Sequence, residues 1–246
     1  MKRDSICRLR IFFDKLPRFI RESRFLFLIA KYIFKLPNEL FTFREDFKKG
    51  KIKDLSILYS GESNLKLERS NNTDINSYHL KIIYSFVDSI KPKSIIDVGC
   101  GTGFLLELLD KRLSNCTLKG IDFSCPSSQK LKTKNDLNFV REDIYSSLVK
   151  LKSNSFDLVI CAHVLEHLSN PESLIQEIRR VTKKSLILIC PLEKPYKWGM
   201  NYHVQFFKNS KNFIDFIRND QNSSSSYSFY ERIGDCLYIE NKETKF

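Results

Sequence analysis

The chain has 246 residues, of which 42% are hydrophobic and 28% charged, and a net charge of +12. That length buries one full core and leaves room for an appendage, and the balance excludes a disordered or fibrous chain. Its seven cysteines (Cys7, Cys100, Cys116, Cys125, Cys161, Cys190 and Cys236) are odd in number and never spaced as CxxC. This argues against a disulfide framework or a zinc ribbon, and suits a reducing compartment with thiols as small apolar filler.

Residues 1–60 hold 15 Lys or Arg against 7 Asp or Glu, and so carry +8 of the total. Such an end attracts the phosphates of lipid headgroups, nucleic acids or nucleotide sugars without choosing among them. Ile6, Leu9, Phe13, Leu16 and Ile20 step by three and four as one helical face, which Pro17 should bend or break. A second aromatic-rich segment follows at 25–34. Its unbroken apolar run, 25–30, is far short of the ~20 residues that span a bilayer, and no signal-peptide pattern opens the chain. The expectation is a cytoplasmic protein. Residues 1–60 then either lie on a membrane surface as a basic amphipathic element or cap the main domain with their Phe face. The cap is favoured, since nothing in the sequence leaves that face exposed.

From residue 77 the pattern changes to alternating helical and strand-like segments, which predicts a parallel sheet with crossover helices. The boundaries are therefore 1–76 for a basic, aromatic-rich helical extension and 77–246 for an α/β domain. Strands are expected at 94–100, 118–123, 138–144, 156–164 and 186–190, with helices at 77–90, 103–113, 172–181 and 211–219. Segments 227–233 and 236–240, turning at Gly234-Asp235, are too close for a parallel crossover and predict an antiparallel hairpin.

The first strand is apolar at Ile95, Ile96 and Val98 and runs into Gly99, Gly101 and Gly103, where a helix starts at once. Bare peptide N–H groups at a helix N-terminus suit a phosphate or a carboxylate equally. A dinucleotide fingerprint, GxGxxG, would need a third glycine at position 104, which is Phe104. Asp97, inside the strand end, carries a carboxylate that is costly there unless it meets a donor such as an ammonium group. An amino-acid moiety supplies one.

The run DVGCGTGFLLELL resembles motif I of the class I S-adenosylmethionine-dependent methyltransferases, and the likeness extends over roughly residues 77 to 246. It implies a Rossmann-like methyltransferase fold of five parallel strands with the C-terminal hairpin, and S-adenosylmethionine as cofactor. It places Asp97, Gly99, Gly101 and Gly103 around the cofactor, Asp122 on its ribose hydroxyls with Phe123 beside it, and Asp143 on the adenine amino group with Ile144 over the ring. Read alone, an Asp after a strand such as Asp143 is more often a helix cap, an order that the resemblance reverses. In FDLVICAHVLEHL the resemblance puts the Cys161 backbone and His163 near the methionine end. In the segment that follows, Lys183-Lys184 replaces the family's usual glycine pair, which the likeness assigns to a turn remote from the cofactor.

Residues 196–207 are aromatic, stand after the fifth strand and should line an acceptor pocket; His203 resembles a histidine found there in small-molecule methyltransferases. An imidazole suits removal of a hydroxyl proton, so His203 and His163 are the candidate bases. The sequence His163-Val164-Leu165-Glu166-His167 also matches the HxxEH zinc pattern, but that needs all three ligands on one helix, and His163 follows a strand directly. No metal is expected, and Glu166 and His167 read as capping and packing residues. Cys190-Pro191 reverses the order of the cytosine-methylating nucleophile and ends a strand. The expected reaction is methyl transfer to an oxygen or nitrogen of a small molecule or cell-surface glycan. RNA is the rival acceptor, disfavoured because the fourth strand ends in Cys161-Ala162-His163 rather than [DN]PP[FY]. A binding protein that keeps the cofactor pocket without catalysis is the other alternative.

Overall fold

In the computed structural model the described residues are 12, 14–34, 39–52, 75–123, 125, 135–195, 201–219 and 225–242. The sheet grows from β1 (Ser94–Val98), whose Ile95, Ile96 and Val98 are fully buried, as an apolar run covered on both faces must be. It pairs in parallel with β2 (Thr117–Ile121) on one side and β4 (Phe156–Ala162) on the other. β3 (Asp136–Val140) extends the first side and β5 (Thr182–Pro191) the second, both in parallel. β6 (Ser226–Arg232) and β7 (Asp235–Asn241) then form a hairpin that joins β5 antiparallel, giving the order β3-β2-β1-β4-β5-β7-β6. The five parallel strands and the antiparallel hairpin are those expected from the sequence.

Among the described residues, helices α1 (Arg18–Arg21), α2 (Arg24–Phe34) and α3 (Glu39–Lys48) precede the sheet. Pro17 breaks the basic amphipathic stretch as expected: α1 starts after it, and the amides of Ile20 and Arg21 both donate to the Pro17 carbonyl. Ile6, Leu9 and Phe13 lie outside the described residues. α4 (Ser77–Ile90) and α5 (Phe104–Arg112) cover one face of the sheet through Ile83, Val87, Leu105, Leu106 and Leu109. α6 (Ile144–Leu148), α7 (Pro171–Val181) and α8 (Ser210–Arg218) cover the other through Leu148, Leu174, Ile178, Phe213 and Ile217. Burying each such side chain contributes about 1.5–3 kcal/mol.

Several boundaries move, each for a local reason. The third strand ends at Val140 rather than 144, because Asp143 caps α6 by accepting from the Ser146 amide at 2.8 Å. The fifth strand starts at Thr182, so Lys183 and Lys184 lie in the sheet and not in a turn; their ammonium groups stand 3.8 and 3.3 Å from the Asp157 carboxylate. The hairpin turns at Ile233-Gly234, both at positive φ (50° and 71°), with Asp235 already paired to Arg232. The six described cysteines are buried and free, as expected of filler.

A buried polar knot ties α4 to the hairpin. The Asn76 side chain accepts from the His79 amide at 2.9 Å and donates to Asp235 Oδ2 at 3.3 Å, while His79 Nε2 meets the Tyr230 carbonyl at 2.8 Å. Asn76→Ala removes the cap and one donor to a buried carboxylate. It is expected to cost about 1–3 kcal/mol, read as a lower urea midpoint with an unchanged slope; an unaltered midpoint contradicts the knot's structural weight.

Candidate functional site

β1, β2 and β3 end level, with Val98, Ile121 and Val140 in register. The chain leaves β1 for β2 on one side and later supplies β4 on the other, so the sheet reverses its order between β1 and β4. Side chains at the carboxyl ends of these strands therefore converge on one crevice.

The glycine loop fills the base of that crevice. At Gly99 (φ +77°) an added Cβ would lie 2.2 Å from Val164 Cγ2, so the loop packs directly on the chain leaving β4. At Gly101 (φ +53°) a Cβ would meet nothing within 4 Å, and the peptide faces open space. Gly103 begins α5 as its N-terminal flanking residue. The Gly101 amide donates to Asp122 Oδ2 at 3.0 Å, which joins the first two strand ends.

Asp97 is 3% exposed, and burial, reinforced by the Asp122 carboxylate, pushes its pKa up to about 7. Phe123 follows Asp122 and accepts from Arg141 Nε through its carbonyl at 2.8 Å. One oxygen of Asp143 serves the α6 cap, and Ile144, buried, is the first residue of that helix. The Cys161 side chain is wholly in the core, where burial holds its thiol well above the usual range, so its backbone is the part that lines the edge.

A second cluster lies across Val164. His163 adopts a left-handed backbone (φ +57°), unusual for a residue with a side chain, and its Nδ1 stands 3.3 Å from Glu166 Oε1. Glu166 is 1% exposed; burial alone would raise its pKa, but the His163 bond and the nearby His167 and His203 outweigh it and hold it at about 2. His167 is lowered to about 4 by burial, against the pull of Glu166. His203 places Nδ1 2.5 Å from Oε1 of the buried Glu193. The Val204 and Gln205 amides donate to the Glu166 carbonyl at 2.8 and 3.1 Å, which locks the segment after β5 onto the turn after β4.

The N-terminal helices complete the wall. Phe43 of α3 meets Tyr202 edge-on at 5.0 Å, Arg44 donates to Asn201 Oδ1 at 2.9 Å, and its guanidinium lies 4.9 Å from the Phe206 ring centroid. Of the expected acceptor segment, residues 196–200 lie outside the described residues. Sequence reasoning gathered Asp97, the glycines and Asp122 correctly at one strand edge. It missed Glu193, which no motif marks, and the contact of buried Glu166 with His163, whose signal was the HxxEH pattern set aside on helical grounds.

Residues 96–190 match the family model described as a methyltransferase domain. The ubiquinone biosynthesis O-methyltransferase of Neisseria meningitidis serogroup C (strain 053442) is 28% identical over 149 residues, 58% of this chain and 56% of that protein. The enzyme of the same name from Nitrosomonas europaea is 31% identical over 115 residues, 45% of this chain and 48% of that protein. The chain thus spans about half the length of these relatives. Magnesium protoporphyrin IX methyltransferase from Synechocystis PCC 6803, solved with bound SAH, superposes with a TM-score of 0.55 at 16% identity, over 77% of this chain and 100% of that one, which is a likeness of fold.

An aspartate that ionises at about 7 folded and near 3.8 unfolded opposes folding as pH rises through that interval, with the full penalty above it. Asp97→Asn is therefore expected to raise the melting temperature of the ligand-free protein at pH 8 and to leave it nearly unchanged at pH 4. Equal shifts at both pH values contradict an uncompensated buried carboxylate.

Proposed function

We propose that the protein, whose residues 96–190 match a methyltransferase-domain model and which is similar to O-methyltransferases over about half their length, is a class I S-adenosylmethionine-dependent methyltransferase that transfers the methyl group of S-adenosylmethionine to a hydroxyl oxygen of a small-molecule or cell-surface-glycan acceptor. The observation that carries this reading is the Asp97 carboxylate, buried beside Asp122 under a loop whose Gly101 faces open space. A nucleotide pyrophosphate would add negative charge to that pair; an amino-acid ammonium neutralises it. The residues fit the cofactor: Asp97 would take its ammonium, Asp122 its ribose hydroxyls, and the second oxygen of Asp143 its adenine amino group, with Phe123 and Ile144 flanking the base.

The bound cofactor supplies an electrophilic methyl on sulfonium. The chain supplies position and proton handling. Val164 and the Cys161 backbone close the methionine end against the glycine loop, and the adjoining histidine cluster, His163 on Glu166 and His203 on Glu193, takes up the acceptor proton as the oxygen attacks in line. The relatives named O-methyltransferases support oxygen over nitrogen.

In calorimetry S-adenosylmethionine is expected to bind and NAD not, with Asp122→Ala weakening the former at least tenfold; tight NAD binding alone contradicts the reading. His203→Gln is expected to lower kcat roughly 10²–10⁴-fold with cofactor affinity unchanged, and full turnover at every pH removes the histidine from proton transfer.

A contact with an anionic membrane surface is the second element of this reading. The described part of the N-terminal helices leaves Phe19, Phe25, Leu26, Leu28, Ile29 and Tyr32 exposed, while Phe27 is buried. These apolar side chains accompany the +8 charge of residues 1–60, a combination suited to headgroup phosphates. Among the described residues no helix is long and apolar enough to cross a membrane. The protein is expected to sediment with vesicles containing phosphatidylserine, and Phe25→Ser/Leu28→Ser to lose at least tenfold of that binding; equal sedimentation of both forms excludes the surface.

A further inference from the structure

We infer that the cluster across Val164 is a binding site for one divalent first-row cation, held by Glu166, His167 and His203. One ligand atom from each of these three residues lies within 4.8 Å of the others, a separation that a small closure brings to coordination distance. Two imidazoles and one carboxylate are the ligand set of open zinc sites that keep a position for substrate, and imidazole equally suits cobalt and iron.

The surroundings are those a metal site requires. A ligating histidine uses its other ring nitrogen on a carboxylate or carbonyl, which fixes the ring and its tautomer. Both histidines here do so: His203 Nδ1 lies 2.5 Å from Oε1 of buried Glu193, and His167 Nδ1 lies 3.4 Å from the Tyr202 carbonyl. The carboxylate is itself oriented, by His163 Nδ1 on Oε1 at 3.3 Å and by the Cys190 thiol donating to Oε2 at 3.5 Å. The two rings stand edge to face with centroids 4.8 Å apart, brought together because the Val204 and Gln205 amides pin the 201–205 loop to Glu166. The HxxEH spacing would need its three ligands on one helix, whereas here His163 sits on Glu166 as a neighbour. His203 arrives from another part of the chain and supplies the third ligand.

The ion's role rests on the methyl-transfer reading, whereas its binding does not. With the ion bound, His203 would serve as its ligand instead of as the base, and an acceptor hydroxyl on the open position would be acidified and lose its proton to His163 or solvent. The oxygen's electron pair then forms the O–CH3 bond as the S–CH3 bond breaks, its pair remaining on sulfur to give neutral S-adenosylhomocysteine.

The test is metal binding to the full chain in the absence of cofactor and acceptor. After chelator treatment, Co2+ is expected to bind at one per chain with the visible absorption of a histidine-ligated ion, and Zn2+ to displace it. His167→Ala and His203→Ala each are expected to weaken binding at least tenfold, and the conservative Glu193→Gln about 10–100-fold, all with an unchanged circular dichroism spectrum. Absence of bound Co2+ at tenfold excess, or equal binding by His167→Ala/His203→Ala, overturns the site. S-adenosylmethionine titration of the same samples reports separately on the cofactor site, so loss of the metal proposal leaves the methyltransferase reading standing or falling on its own.

Discussion

The constraint on which the site depends is the placement of two carboxylates, Asp97 and Asp122, at level strand ends with a peptide loop above them. Register puts them there: Val98 and Ile121 are partners, so the acids before and after them face one crevice. Burial of Asp97, reinforced by the Asp122 charge, then pushes its pKa up to about 7. Stability is given up at that position, and such local costs concentrate where a ligand repays them. The glycine loop follows from the same demand, since a Cβ at Gly99 would collide with Val164 and force the two strand ends apart.

The acceptor side is built differently. It is a lock between segments distant in sequence: the Glu166 carbonyl receives two amides of the 201–205 loop, and α3 closes over that loop through Phe43 and Arg44. Helix α3 therefore touches residues 201–206 after β5. The match to the methyltransferase-domain model covers residues 96–190 and so stops short of the 201–205 loop.

What was legible in the sequence is what short-range pattern encodes. Apolar runs and glycine punctuation located β1 to β5, and Asp97, two residues before the glycine loop, and Asp122, one after β2, were placed at the strand ends. The strand-to-helix change at Asp143 was blurred because Val140 and Ile144 are both apolar and β-branched residues and fit either element. Lys183 and Lys184 read as a turn because their partner, Asp157, lies on the neighbouring strand, far away in sequence. Glu193 was invisible for the same reason, as its meaning comes only from His203, ten residues on and across a loop. Exposure is what periodicity does not report: Phe43 and Arg44 of α3 are buried, while the α2 side chains Phe25 and Leu28 are exposed.

The central claim is that Asp97 is discharged by the ammonium group of the cofactor, and proton linkage measures this directly. S-adenosylmethionine is titrated calorimetrically into the protein at pH 6.5 in buffers of different ionisation enthalpy. The account predicts net release of most of one proton on binding, as Asp97 ionises to meet the ammonium, and little or none in Asp97→Asn. Tight binding with no proton released by the native chain would contradict it.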